Sequence, residues 1–185
     1  LILLATGSYP PDTGFQKAIA HIEQLPGIED GGFFSAEDVM ARRARLGKRV
    51  LILDEGGNWK GCGTALKMAE EGHQVVLITP DPLVGKELQR TAADYPLRQK
   101  LAQLGVRFIL ESAITRWTPQ GAGILSFLDG STSFVEADSL VFATPNLAED
   151  TLARELEDSG LKFLNIGDSA GPVSYTHLTL PTTLV

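Results

Sequence analysis

RVLILDEGGNWKGCGTALKMAEEGHQVVLIT, Arg49 to Thr79, is the stretch whose reading decides the fold. Val50 to Leu53 is an unbroken apolar run of the kind that a parallel strand buried on both faces produces. A glycine-rich turn follows it at once. From Gly61 the apolar positions Cys62, Ala65, Leu66 and Ala69 fall three and four apart, which predicts one helix face, and Gly72 is placed to cap its C-terminus. Val75 to Ile78 then reads as a second buried strand. Such a crossover sets backbone N–H groups at the helix N-terminus beside the carboxyl end of the first strand, where dinucleotide pyrophosphates bind.

The expected class is therefore α/β, a Rossmann-type parallel sheet, but its loop departs from the G-x-G-x-x-G fingerprint. Asp54 and Glu55 come before any glycine, and the glycines are Gly56, Gly57, Gly61 and Gly63. With Gly61 as the close-packing glycine, the loop is about two residues too long. Two carboxylates beside a diphosphate repel it unless they turn outward to water. The second strand ends in Thr79-Pro80, where an Asp or Glu would hold a ribose hydroxyl. Gly56 and Gly61 have the spacing of a P-loop, but the residues argue against one, because Cys62-Gly63 stands where Lys-Ser/Thr must bind phosphate and magnesium. Cys62 at a helix N-terminus could carry redox chemistry, but it has no resolving partner or base, and packing on the sheet explains it as well.

The 185 residues carry 16 basic and 23 acidic side chains, with a pI near 4.9. Such a balance argues against nucleic-acid and anionic-membrane partners, which need a basic face. One cysteine allows no internal disulfide and fits a reducing, cytoplasmic setting. No apolar run is long enough for a membrane span, and LILLATGS lacks the charged start of a signal peptide. The chain opens inside an apolar strand without an initiating Met, which reads as the interior of a longer protein.

Leu1 to Leu4 runs into the small-residue turn Ala5-Thr6-Gly7, and LVFAT at Leu140 to Thr144 repeats the pattern. Two such elements bracketing a βαβ unit suggest one domain inserted in another. Ser35 with Asp38 resembles a capping box for a helix to about Leu46, whose Arg42, Arg43 and Arg45 read as a solvated face. Gly85 to Tyr95 is a polar connection, Leu97, Leu101 and Leu104 a helix face, and Val106 to Leu110 a strand. Three segments at hairpin spacing follow, Ile114 to Thr118, Gly123 to Leu128 and Ser133 to Ala137, with Asp129-Gly130 as a turn: a β-meander. Ala148 to Leu156 is an expected helix and Phe163 to Ile166 a strand closed by Gly167-Asp168. A carboxylate there can accept ribityl or ribose hydroxyls while N–H groups approach phosphate. His73, after the cap Gly72, reads as surface punctuation, and His21 has no identifiable partner.

LLATGS, the glycine-loop unit, the meander, LVFAT and NIGDSAGP in this order resemble the glutathione-reductase-like flavoproteins with two dinucleotide domains. GKRVLILDEGGNWKGCGTALKMAEEGHQVVLITPD with PLRQKLAQLGVRF most resembles the C-terminal half of the NADH:flavin oxidoreductases of the trimethylamine dehydrogenase, 2,4-dienoyl-CoA reductase and N-methylproline demethylase-like type. The resemblance covers Leu1 to about Pro172. It implies FAD as cofactor, NAD(P)H as a second nucleotide, and FMN with a 4Fe-4S cluster only in an N-terminal barrel absent from these residues. That barrel and the rest of the FAD domain would be the partners of this chain, which is read as truncated at both ends. By position, Ala5, Thr6 and Gly7 match the crossing from the FAD domain, Gly167 and Asp168 the FAD-facing Gly-Asp, and Gly56, Gly57 and Gly61 the NAD(P)-type loop. The implied division is 1–46 and 146–172 as partial FAD-domain segments and 47–145 as the NAD(P)-type domain. Residues 173–185, within which VSYTHLTLPTT resembles a translated sequencing adapter, read as a non-native tail. Such a chain is either an electron-transfer piece of a flavin enzyme or a vestigial Rossmann domain kept for docking.

Overall fold

Five of the six residues of Arg49–Asp54 are buried, so this strand has both faces covered. In the computed structural model, which describes residues 1–171, the chain runs β1 (Ile2–Leu4), β2 (Ser8–Tyr9), β3 (Phe33–Ser35), α1 (Ala36–Met40), β4 (Arg49–Asp54), α2 (Trp59–Glu70), β5 (Gln74–Ile78), α3 (Asp94–Gln103) and β6 (Arg107–Ile109). It continues through β7 (Ser112–Thr118), β8 (Gly121–Ser126), β9 (Thr132–Glu136), β10 (Ser139–Ala143), β11 (Leu147–Ala148), α4 (Thr151–Asp158) and β12 (Phe163–Asn165). The adapter-like tail lies outside the described residues.

Pro10–Thr144 form one compact unit. Its sheet is parallel, in the order β3-β10-β4-β5-β6. The period of two along each strand divides its core. Val50, Ile52, Val75, Leu77, Val141 and Ala143 face α1, α2 and α3, whereas Leu51, Leu53, Leu140 and Phe142 face the antiparallel sheet β7-β8-β9 through Ile114, Trp117 and Ile124. A parallel sheet with helices on one side and a meander on the other is the expected Rossmann-type architecture. The described residues contain no helix long and apolar enough to cross a membrane.

Residues 10–46 belong to the same unit: Phe33–Ser35 adds an edge strand beside Leu140–Phe142. Gln16 is buried, and its side chain accepts from the Ile114 N–H and donates to the Ile114 carbonyl. The capping box is present, with Ser35 Oγ and the Asp38 carboxylate serving each other's backbone N–H. The helix nevertheless stops at Met40 instead of about Leu46. Arg42 takes a left-handed φ of 57°, and the N–H groups of Arg43 and Ala44 both turn back to the Asp38 carbonyl, so the three arginines lie beyond the helix. Helix α2 begins at Trp59, two residues earlier than its apolar spacing indicated, because Asn58 Oδ1 accepts from the Lys60 N–H. The connection after β5 holds a 3-10 turn over Lys86–Thr91.

Leu1–Tyr9 and the described residues from Pro145 onward form a second unit. There β1 pairs in parallel with β12, Ile2 opposite Phe163, and β2 pairs antiparallel with β11. The helix expected from Ala148 starts at Thr151, since Leu147–Ala148 is taken into that ladder.

Candidate functional site

Alternation along β4 carries the helix-facing series Val50, Ile52 one step further to Asp54, which places its carboxylate beneath the first turn of α2. It is fully buried. Oδ1 accepts from the N–H groups of Gly56 and Gly57 at 3.1 and 2.9 Å, and the Cys62 thiol lies 3.5 Å from Oδ2. A Cβ on Gly61 would run into the Asp54 carboxyl group, so that glycine is required by close approach of the carboxylate. Glu55 accepts from the Lys17 and Ala18 N–H groups at 3.0 and 3.1 Å. Asp54 does not turn outward to water, whereas Glu55 is half-buried, its carboxylate held at the surface by these two N–H groups.

Burial dominates the electrostatics of this loop. It pushes Asp54 up to about 6 against the opposing hydrogen bonds of Gly57, Cys62 and Gly56, and it raises Glu55 too. Asp81 adds a like charge. Its Oδ1 pairs with Lys86 at 2.7 Å, and its Oδ2 lies 3.4 Å from where a Cβ on Gly57 would sit. Asp81, two positions beyond Thr79, is thus a third carboxylate set against the glycine loop. The turn Pro80-Asp81-Pro82 was its only sign. Asn58 was missed for want of a four-residue capping pattern. On the other flank Lys60 bridges Glu37, at 2.8 Å, and the Thr144 carbonyl, at 2.9 Å.

The second unit brings Ala5-Thr6-Gly7 and Gly167-Asp168 together at the carboxyl ends of the paired strands β1 and β12. Gly7 and Gly167 both have positive φ, 83° and 67°, and a side chain at either would meet nothing within 4 Å. The Ser8 hydroxyl donates to Asp168 Oδ2 at 3.1 Å, and the Thr6 hydroxyl donates to the Glu149 carbonyl at 2.6 Å. Asp168 is exposed. The carboxyl ends of adjacent parallel strands are where open α/β sheets receive ligands. The turns thus set one exposed carboxylate, Asp168, steadied by the Ser8 hydroxyl, between two glycines with open space beside them, and a carboxylate so placed can accept from a hydroxyl group.

Burial and the neighbouring Asp54 push the Cys62 thiol well above the ordinary range, the opposite of what redox chemistry needs. His73 Nδ1 lies 2.8 Å from the Gly47 carbonyl, a structural contact at the far end of the sheet from the loop. Among the described residues no group of three or more His, Cys, Asp or Glu is placed to hold a metal ion.

Against known proteins, the model of the pyridine nucleotide-disulphide oxidoreductase family matches residues 1–169. The NADH oxidase of Thermoanaerobacter brockii is 25% identical over 169 residues, covering 91% of this chain and 24% of that protein. The cinnamate reductase of Clostridium sporogenes is 31% identical over 172 residues, covering 91% of this chain and 23% of that one. The chain thus spans about a quarter of the length of these relatives. Among solved structures, 6-hydroxypseudooxynicotine amine oxidase from Pseudomonas geniculata N1 superimposes with a TM-score of 0.83 at 25% identity, over 93% of this chain and 26% of that one.

Proposed function

Because the chain belongs to the pyridine nucleotide-disulphide oxidoreductase family, we propose that it serves as a nucleotide-holding part of a larger flavin-dependent oxidoreductase. In this reading FAD lies against Ala5, Thr6, Gly7, Gly167 and Asp168, and FMN with a 4Fe-4S cluster belongs to a barrel outside these residues. The bound flavin would supply the electron-transfer chemistry. Asp168 would accept a ribose or ribityl hydroxyl, held in orientation by Ser8, while the open turns at Gly7 and Gly167 admit close approach. The observation that carries this reading is the Ser8–Asp168 hydrogen bond, which joins the two turns at the ends of parallel strands. The test is flavin content in the complete polypeptide that carries these residues. Asp168→Ala is expected to lower the flavin-to-protein ratio with the protein still folded, and unchanged loading would sink the assignment. The 185 residues alone are expected to purify colourless and without NAD(P)H oxidase activity. Stoichiometric flavin in that preparation would overturn the reading of residues 1–46 and 146–172 as only partial FAD-domain segments.

A second reading concerns the glycine-loop unit, read by sequence as NAD(P)-type through Gly56, Gly57 and Gly61. The N–H groups of Gly56 and Gly57 are already accepted by Asp54, which favours a unit kept as a packing scaffold over one that takes NAD(P)H. Calorimetric titration with NADH, NADPH and ADP separates the two. Micromolar binding of either dinucleotide would restore the nicotinamide reading.

A further inference from the structure

A glycine loop binds phosphate with the N–H groups it leaves unused and with the positive end of the helix behind it. Here the N–H groups of Gly56 and Gly57 converge on one oxygen of Asp54, a side chain with no solvent exposure. The strand's own alternation drives that carboxylate under α2, and Gly61 leaves the space its carboxyl carbon requires. The second oxygen is closed off by the Cys62 thiol. An anion is thus already seated where loop and helix would receive one.

We propose that Asp54 is the resident anion of this loop: its carboxylate stands in for a nucleotide phosphate, holds the turn through two glycine N–H groups, and by its charge keeps a diphosphate out. The proposal rests on the scaffold reading of the glycine-loop unit and supplies its cause. The surrounding charges agree with it. Asp81 beside Gly57 and Glu55 next in sequence have the same sign as Asp54, Lys86 is paired with Asp81, Lys60 is engaged by Glu37, and Arg98 is paired with Asp94. Asp54 is on this account a specificity-determining residue, in that one side chain separates a self-closed loop from a phosphate-binding one.

Asp54→Asn tests the charge alone, because an amide oxygen can still accept from both N–H groups. Wild type, D54N and the distant surface variant E136Q are titrated calorimetrically with inorganic pyrophosphate and with ADP at low ionic strength. Folding is checked by thermal melting. D54N is expected to bind both probes at least on the order of tenfold more tightly than wild type, with the gain shrinking at high salt, and E136Q to behave as wild type. Tight binding by the wild type overturns both the proposal and the scaffold reading. Absence of binding in wild type and folded D54N overturns the resident-anion role and leaves the scaffold reading standing. Should D54N fail to fold, Asp54→Ser takes its place. Failure of both to fold makes Asp54 a folding requirement alone and overturns its assignment as the residue that excludes a diphosphate.

Discussion

Asp54 costs the fold stability in proportion to its charge. Burial holds its pKa in the folded protein at about 6 against the 3.8 of an ordinary aspartate, so between those values the native state holds a proton that the unfolded chain has lost. Stability therefore falls as pH rises through that window, and the full cost, on the order of 3 kcal/mol, is present above it. D54N escapes that cost. Urea unfolding at pH 8 should show D54N the more stable protein, with the gap closing near pH 4, and an equal gap at both pH values would count against a buried ionised Asp54. Gly61→Ala forces the same carboxylate out of place and should destabilise by about 1 to 3 kcal/mol. The buried, high-pKa thiol of Cys62 should react with a disulfide reagent only as fast as the protein opens. Labelling at the rate of a free thiol in native buffer would contradict that placement.

Helix α1 shows how much an element owes to its first turn. At five residues it is too short to persist on propensity, and the Ser35–Asp38 box satisfies N–H groups at its start. Ser35→Ala should lower stability by about 1 kcal/mol, measured by urea denaturation, and a loss indistinguishable from zero would assign the helix to packing of Ala36 and Val39 instead. This box was legible in the sequence, as were the apolar runs of β4, β5 and β10 and the turn at Asp129-Gly130, because each rests on local spacing. The end of α1 was not legible: Arg42 adopts its left-handed conformation without any sequence sign. Nor was β3, a three-residue strand that exists only because Leu140–Phe142 lies beside it. For the loop, the two acids were visible in the sequence, but their direction was not. Whether Asp54 faces water or the helix depends on the strand register, which continues the series Val50, Ile52 inward.

On the scale of the molecule, the two units differ in how much apolar surface they cover. Leu51, Ile52, Leu53, Leu140 and Val141 are fully buried in Pro10–Thr144, whereas Leu1, Leu3, Leu164 and Ile166 of β1, β12 and their flanks are exposed. Short parallel strands without cover open readily. Amide hydrogen exchange should be slowest in β4 and β10 and fast in β1 and β12, and equal protection in both pairs would show that the smaller unit is covered in solution. Gln16 carries a different consequence. Its side chain clasps the backbone of Ile114 across 98 positions of sequence, doing for β7 what a neighbouring strand would do. Closing so long a loop costs entropy that this single side chain's two hydrogen bonds offset only once β7 is in place, so the contact is expected to form after the transition state. Gln16→Ala should accordingly leave the refolding rate nearly unchanged and quicken unfolding, so this one amide sets how long the native molecule survives between openings. A stopped-flow chevron with a slowed folding arm would instead put Gln16 in the nucleus.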